Sequence, residues 1–183
     1  MRPGWAFLPA LGGALAHAPV LRYDLLASLR RPLDAGASVG GTRLFGDNKT
    51  LRGALVMAGG TTVAAIALTR QRWFRDRLPG ELREAPPVLY GALLGAGVVL
   101  GELPNSFVKR RLGIAPGDRR SSLLGGAITV YDQADFVPVS ALTLRPLWRM
   151  TALELAEAFA VVASVHAAVN VVGYAIGART SPV

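Results

Sequence analysis

The sequence predicts an all-α membrane protein: about five transmembrane helices around a cytoplasm-facing polar cavity, built as one domain over residues 1–183. Three observations predict it. Hydrophobic residues make up 51% of the chain and mean hydropathy is +0.37, high for a soluble globule. The apolar residues are gathered in long uncharged runs and are not spread at helical or strand periods. Acids, amines and guanidinium groups then crowd the ends of those runs, above all in Glu102–Asp118 and Tyr131–Phe136. Burying such groups at membrane depth is expensive, so a dense cluster there marks a functional site.

The elements follow in order. Pro3–Leu21 has no charged side chain and is about long enough to cross a bilayer. Ala14-Leu15-Ala16 only weakly resembles a cleavage site, and Arg2 is the sole basic residue ahead of it, so the run is read as a retained span. Arg22–Arg52 is a polar, basic connection with a Gly-rich stretch over Gly36–Gly41. Gly53–Thr69 is the second span, rich in the small residues that let membrane helices approach closely. Arg70–Glu84 is a short connection of mixed charge. Ala85–Gly101 starts the third span, with Pro86-Pro87 as its helix entrance, and the span continues past Glu102. Gly113–Tyr131 reads as a loop with a turn at Pro116-Gly117-Asp118. Phe136–Leu144 is a short fourth span, shallow or tilted. Leu147–Gly177 is the fifth, carrying Glu154 and Glu157 near its start.

Composition excludes several chemistries. With no cysteine there is neither a disulfide nor a thiolate metal site, and two histidines are too few for a histidine-rich zinc site. The net charge of +8 fits basic flanks facing anionic head groups, with no nucleic-acid module in view. Counted over the connections and ends, twelve basic residues fall on one side of the membrane and eight on the other. This bias puts both polar clusters on the cytoplasmic side. Of the twenty basic residues only Lys49 and Lys109 are lysines, and both lie in those clusters.

Four constellations carry chemistry. In Arg43-Leu44-Phe45-Gly46-Asp47-Asn48-Lys49-Thr50-Leu51-Arg52-Gly53 the donors Lys49, Thr50 and Arg52 suit phosphate, without the glycine spacing of a P-loop. A basic turn with Asp47 or Asn48 capping the next helix fits the same residues. In Glu102–Arg111, helical spacing puts Glu102, Asn105 or Ser106, and Lys109 on one face. That face is either one side of a polar pocket or a stop-transfer flank with snorkelling cations. Asp132 and Asp135, three apart, share a helix face if the segment is helical; they then hold Mg²⁺ through oxygen ligands, or simply favour a helix N-terminus. His166 and Asn170 share a face of the last span, where an interhelical hydrogen bond is the plainer reading than catalysis. No GxSxG motif accompanies the histidines, and no paired repeat points to a transporter.

At these residues the chain resembles the CDP-archaeol synthase family, CTP-dependent lipid cytidylyltransferases that are similar in turn to CDP-diacylglycerol synthases. The likeness runs through Leu8-Pro9, Ala18-Pro19 and Arg30-Arg31-Pro32-Leu33-Asp34. It continues through the Arg43–Gly53 motif, Ser106–Gly117, Asp132-Gln133-Ala134-Asp135-Phe136, and His166 with Asn170. Glu102 stands where the family usually has an aspartate, Pro104 and Asn105 are unusual in that helix, and Ser121–Val130 looks inserted. The resemblance implies CMP transfer from CTP to a phosphorylated ether lipid, giving a CDP-lipid and pyrophosphate. It implies Mg²⁺ on Asp132 and Asp135, with Glu102 as a further ligand, and Lys109 beside them in catalysis. Lys49, Arg52, Ser106, Lys109, Arg110 and Arg111 would meet phosphates, while Asp47, Asn48 and Thr50 shape the nucleotide loop. Apolar walls from the second, third and fifth spans would hold the lipid chains. A phosphatidate cytidylyltransferase or a non-catalytic lipid-binding protein is the alternative. The expected partners are CTP, the lipid phosphate and membrane lipids, in the cell (inner) membrane, with the oligomeric state left open.

Overall fold

A computed structural model describes residues 3–114 and 132–175, without the side chains of 172 and 173. The loop expected up to Tyr131, its Pro116-Gly117-Asp118 turn, the Ser121–Val130 insertion and the residues after Ala175 lie outside the described residues. A 3₁₀ turn over Pro3–Phe7 leads into α1 (Ala10–Arg22). Then come β1 (Ser38–Val39), β2 (Thr42–Arg43), α2 (Leu51–Thr69), α3 (Arg72–Arg75), α4 (Gly80–Glu84), α5 (Pro87–Arg111), α6 (Phe136–Thr143) and α7 (Ala152–Ala175). Among the described residues the long elements are all helices, and the strands form a single short hairpin with two residues on each side.

The helix starts are written in the sequence. Thr50, and not Asp47 or Asn48, caps α2, because the helix starts at Leu51 and the Thr50 hydroxyl accepts from the Gly53 amide at 3.1 Å. Pro87 opens α5, where its missing N–H costs nothing. Thr151 and Glu154 form a reciprocal capping box ahead of α7: the Glu154 amide donates to the Thr151 hydroxyl at 3.2 Å, and the Thr151 amide donates to the Glu154 carboxylate at 2.8 Å. The last span therefore begins at Ala152, not Leu147, and Glu154 belongs to its cap. In the hairpin, Gly40 and Gly41 both have positive φ, the geometry a two-residue turn demands and other side chains resist.

Among the described residues, four segments are long and apolar enough to cross a bilayer: Pro3–Arg22, Leu51–Thr69, Pro87–Arg111 and Ala152–Val171. The fourth of the five expected spans is α6, whose eight residues rise only about 12 Å against a hydrocarbon core of about 30 Å. It is a partial helix laid along α5. Gly101 permits this, since a side chain there would run into the Cα of Phe136, and Gly97 does the same beneath Ser140.

Packing runs from α1 to α2, from α2 to α5, from α5 to α6 and from α6 to α7; α7 then returns to the N-terminal 3₁₀ turn. The apolar core sits at one end of this ring. It joins Phe7, Tyr90 and Leu94 to Phe74, Leu78 and Leu82 of the α2–α5 connection and to Leu144 and Trp148 after α6. The buried Tyr90 hydroxyl donates to the Ala6 carbonyl, which pins the first span to the third. The polar residues gather at the other end.

Candidate active site

α5 presents Glu102, Asn105 and Lys109 on one face, and each meets a different partner. Glu102 pairs with Lys49, which immediately precedes the cap of α2. Asn105 donates from its amide nitrogen to Asp132 Oδ1 and to Asp135 Oδ2, both at 2.6 Å. Lys109 pairs with the other oxygen of Asp132. From the opposite side α7 grips the same segment. Asn170 Nδ2 donates to Gln133 Oε1 at 3.0 Å, and His166 Nδ1 lies 3.0 Å from the Gln133 carbonyl oxygen. Residues 133–135 form a turn, and the two aspartates meet at the Asn105 amide. They are clamped between α5 and α7.

These groups line the polar end of a cavity of about 500 Å³. Asn48, Lys49, Glu102, Asn105, Ser106, Lys109, Arg110, Asp132 and Asp135 all face it, eight of them expected from sequence. Two carboxylates, on Glu102 and Asp132, are matched by lysines. Asp135 is buried and makes no ion pair among the described residues. Burial, reinforced by the nearby Glu102 and Asp132 charges, pushes its carboxyl up to about 7, against the pull of Asn105 and Lys49. Arg110 donates to the Ile114 carbonyl, while its buried Nε has no partner among the described residues. The Arg110 side chain is part of the cavity lining.

Four expected site residues serve elsewhere. Arg52 is buried, donating to Asp24 at 2.6 Å and to the Leu25 carbonyl at 3.1 Å, so it ties the α1–α2 connection to the start of α2. Arg111 holds the hairpin through the carbonyls of Val39, Thr42 and Arg43 at 2.6–2.8 Å and lies over the Phe107 ring. Asp47 is exposed and paired with Arg43 at 2.7 Å. Thr50 caps α2 and lines a smaller recess of about 110 Å³ behind Lys49. Each of these four side chains has a hydrogen-bond partner outside the main cavity.

The loop bearing Lys49 has its own anchor. Buried Asp34 accepts two hydrogen bonds from Arg43 and one each from the amides of Gly36, Phe45 and Gly46 at 3.1–3.2 Å. The Arg43 guanidinium, helped by the three amides, holds this carboxyl well below the usual range. The sequence offered Asn105 only as an alternative to Ser106 on the pocket-facing side of this helix, and nothing in it pointed to Gln133 as a separate site residue.

The remaining cavity wall is apolar: Phe7, Leu8 and Leu11 from the first span face Val161, Val165 and Val169 of α7, with Met57 and Val98 between. The first span takes the place expected of the second as a principal wall. Leu11, Val161, Val165 and Val169 stay partly exposed along this groove.

A helical, membrane-embedded fold with an ion-paired pocket at the end of an apolar groove defines an intramembrane enzyme acting at the boundary of a polar and a greasy substrate. Comparison with known proteins gives the particular family. Residues 21–182 match the CarS-like CDP-archaeol synthases. The chain is 35% identical to the CDP-archaeol synthase of Halobacterium salinarum, over 97% of this chain and 93% of that one. It is 34% identical to that of Methanospirillum hungatei, over 82% and 89%. A solved structure described as an intramembrane enzyme for archaeal membrane lipids biosynthesis superposes with a TM-score of 0.64 at 28% identity, covering 91% of each chain. The chain belongs to the CDP-archaeol synthase family.

Proposed function

We propose that this protein transfers CMP from CTP to a phosphorylated ether lipid of the archaetidic-acid type, leaving CDP-archaeol in the membrane and releasing pyrophosphate. One observation carries the reading: a single cavity joins three cationic side chains and a carboxylate pair to an apolar groove. The groove between the first span and α7 takes the lipid chains, and the lipid phosphate lies at its polar end. A phosphate oxygen attacks the α-phosphorus of CTP, the bond to the β-phosphate breaks, and pyrophosphate leaves. Lys49, Lys109 and Arg110 stabilise phosphate charge, and the clamp on residues 132–135 keeps the acids in register. Relatives that are CDP-archaeol synthases favour the ether lipid over phosphatidate.

The carboxylate pair fits Mg²⁺. Asp132 and Asp135 direct one oxygen each at the same point, hard donors of the kind Mg²⁺ takes, and among the described residues Asp135 makes no ion pair. Among the described residues no group of three acids or histidines is assembled, so substrate phosphates would complete the coordination. Glu102 is committed to Lys49 and stands outside the pair. The ion would supply charge neutralisation and orientation at the phosphates. The basic bias of the connections supports a site facing the cytoplasm from the cell membrane.

The test is CMP transfer from labelled CTP by the purified protein in detergent, with and without Mg²⁺, offered unsaturated archaetidic acid and phosphatidic acid side by side. CDP-lipid from the ether substrate, dependent on Mg²⁺ and lost in Asp132→Asn, supports the reading. Turnover of phosphatidic acid alone, or none by folded protein, overturns it.

A further inference from the structure

Asp132 and Asp135 stand on either side of residues 133–134, and the α7 contacts from His166 and Asn170 reach Gln133, not the acids. Among the described residues, the group that touches both acids is the Asn105 amide, 2.6 Å from an oxygen of each. Lys109 cannot substitute, because it reaches only Asp132. Asn105 is itself placed by α5, one turn beyond Glu102 and one turn before Lys109, in the stretch where Gly101 brings α5 against α6.

We propose that Asn105 is the positioning residue of the carboxylate pair and a neutral oxygen ligand to the divalent cation; this rests on the Mg²⁺ reading above. A neutral amide is suited to both tasks. Its nitrogen donates to the two carboxylates and sets their spacing without adding charge. Rotation about the terminal side-chain bond exchanges nitrogen for Oδ1, a hard donor of the kind Mg²⁺ accepts. Aspartate at this position would offer the oxygen but put a third carboxylate against two others. Leucine would fill similar space and offer neither function.

The experiment is Mn²⁺ titration by electron paramagnetic resonance on the full chain in detergent, without substrate, with thermal melts in chelator beside it. Wild type is compared with Asn105→Leu, Asn105→Asp, and the reference variants Asp132→Asn and Asp135→Asn. The expected result is a loss of Mn²⁺ affinity of about 10–100-fold in Asn105→Leu, as for other residues that orient metal ligands. Asn105→Asp should keep or tighten Mn²⁺ binding, melt below wild type in chelator, and recover when Mn²⁺ is added. This rescue separates a ligand position from a merely structural one, and it reads out even if the leucine variant folds poorly. Unchanged Mn²⁺ affinity in folded Asn105→Leu, with binding lost in the aspartate variants, would overturn this inference and leave the Mg²⁺ reading standing. Mn²⁺ binding indifferent to the aspartates would overturn both.

Discussion

Lys49 and Glu102, fifty-three residues apart, form an ion pair that joins the loop before α2 to the lower half of α5. Both side chains are partly buried, so the pair is more than a surface contact. A double-mutant cycle of Lys49→Met and Glu102→Gln on thermal stability should give a coupling of about 1 kcal/mol, the upper end for pairs that keep solvent contact. In turnover the two changes should not be equivalent. Lys49→Met should lower kcat/KM for CTP by about 10²-fold, as for loss of a preorganised phosphate partner. Glu102→Asp keeps the charge and should stay within about tenfold of wild type.

The two aspartates differ in their surroundings. Asp132 is paired with Lys109, whereas Asp135 is buried with a neutral amide as its partner. Both asparagine variants should abolish CMP transfer. Melts in chelator should then separate them: Asp132→Asn falls below wild type because it strips Lys109 of its partner, and Asp135→Asn melts at or above wild type because it removes an unbalanced buried charge.

Asp34 makes the connection before α2 sensitive to acid. Its folded pKa is depressed, so its contribution is fully present above about pH 4, the ordinary aspartate value, and is lost as pH falls toward the folded value. Asp34→Asn should cost about 2–3 kcal/mol at pH 7 through lost charged hydrogen bonds. The gap between the two melting curves should narrow below pH 4; a constant gap down to pH 3 would contradict the assignment.

Val165 lines the apolar groove from α7. Val165→Trp should raise KM for the lipid substrate several-fold and leave KM for CTP unchanged, measured by varying each substrate at saturation of the other. Equal effects on both would mean that the groove is not where the lipid lies.

Spans were legible because hydrocarbon demands long apolar runs, and no tertiary context overrides that demand. α6 was overcounted because Phe136–Leu144 is apolar in the same way; only its packing on Gly97 and Gly101 shows that it is a partial helix. Site residues were legible by type but not by address. Lys49, Lys109, Asp132 and Asp135 reach the cavity, whereas Arg52 and Arg111, equally basic and set in the same motifs, are spent on Asp24 and on the hairpin carbonyls. A motif records which groups are near in the chain, and a guanidinium spans enough distance to choose among several partners.

The sequence by itself determined a helical membrane protein with its charged chemistry at the ends of its spans, and the family to which it belongs. Those properties follow from apolar run length and from motifs read in order. Only the tertiary structure decided which carboxylates meet, which cations remain for phosphate, and that the first and last spans enclose the groove. These depend on contacts between residues tens of positions apart, and no local propensity encodes the direction in which a long side chain turns.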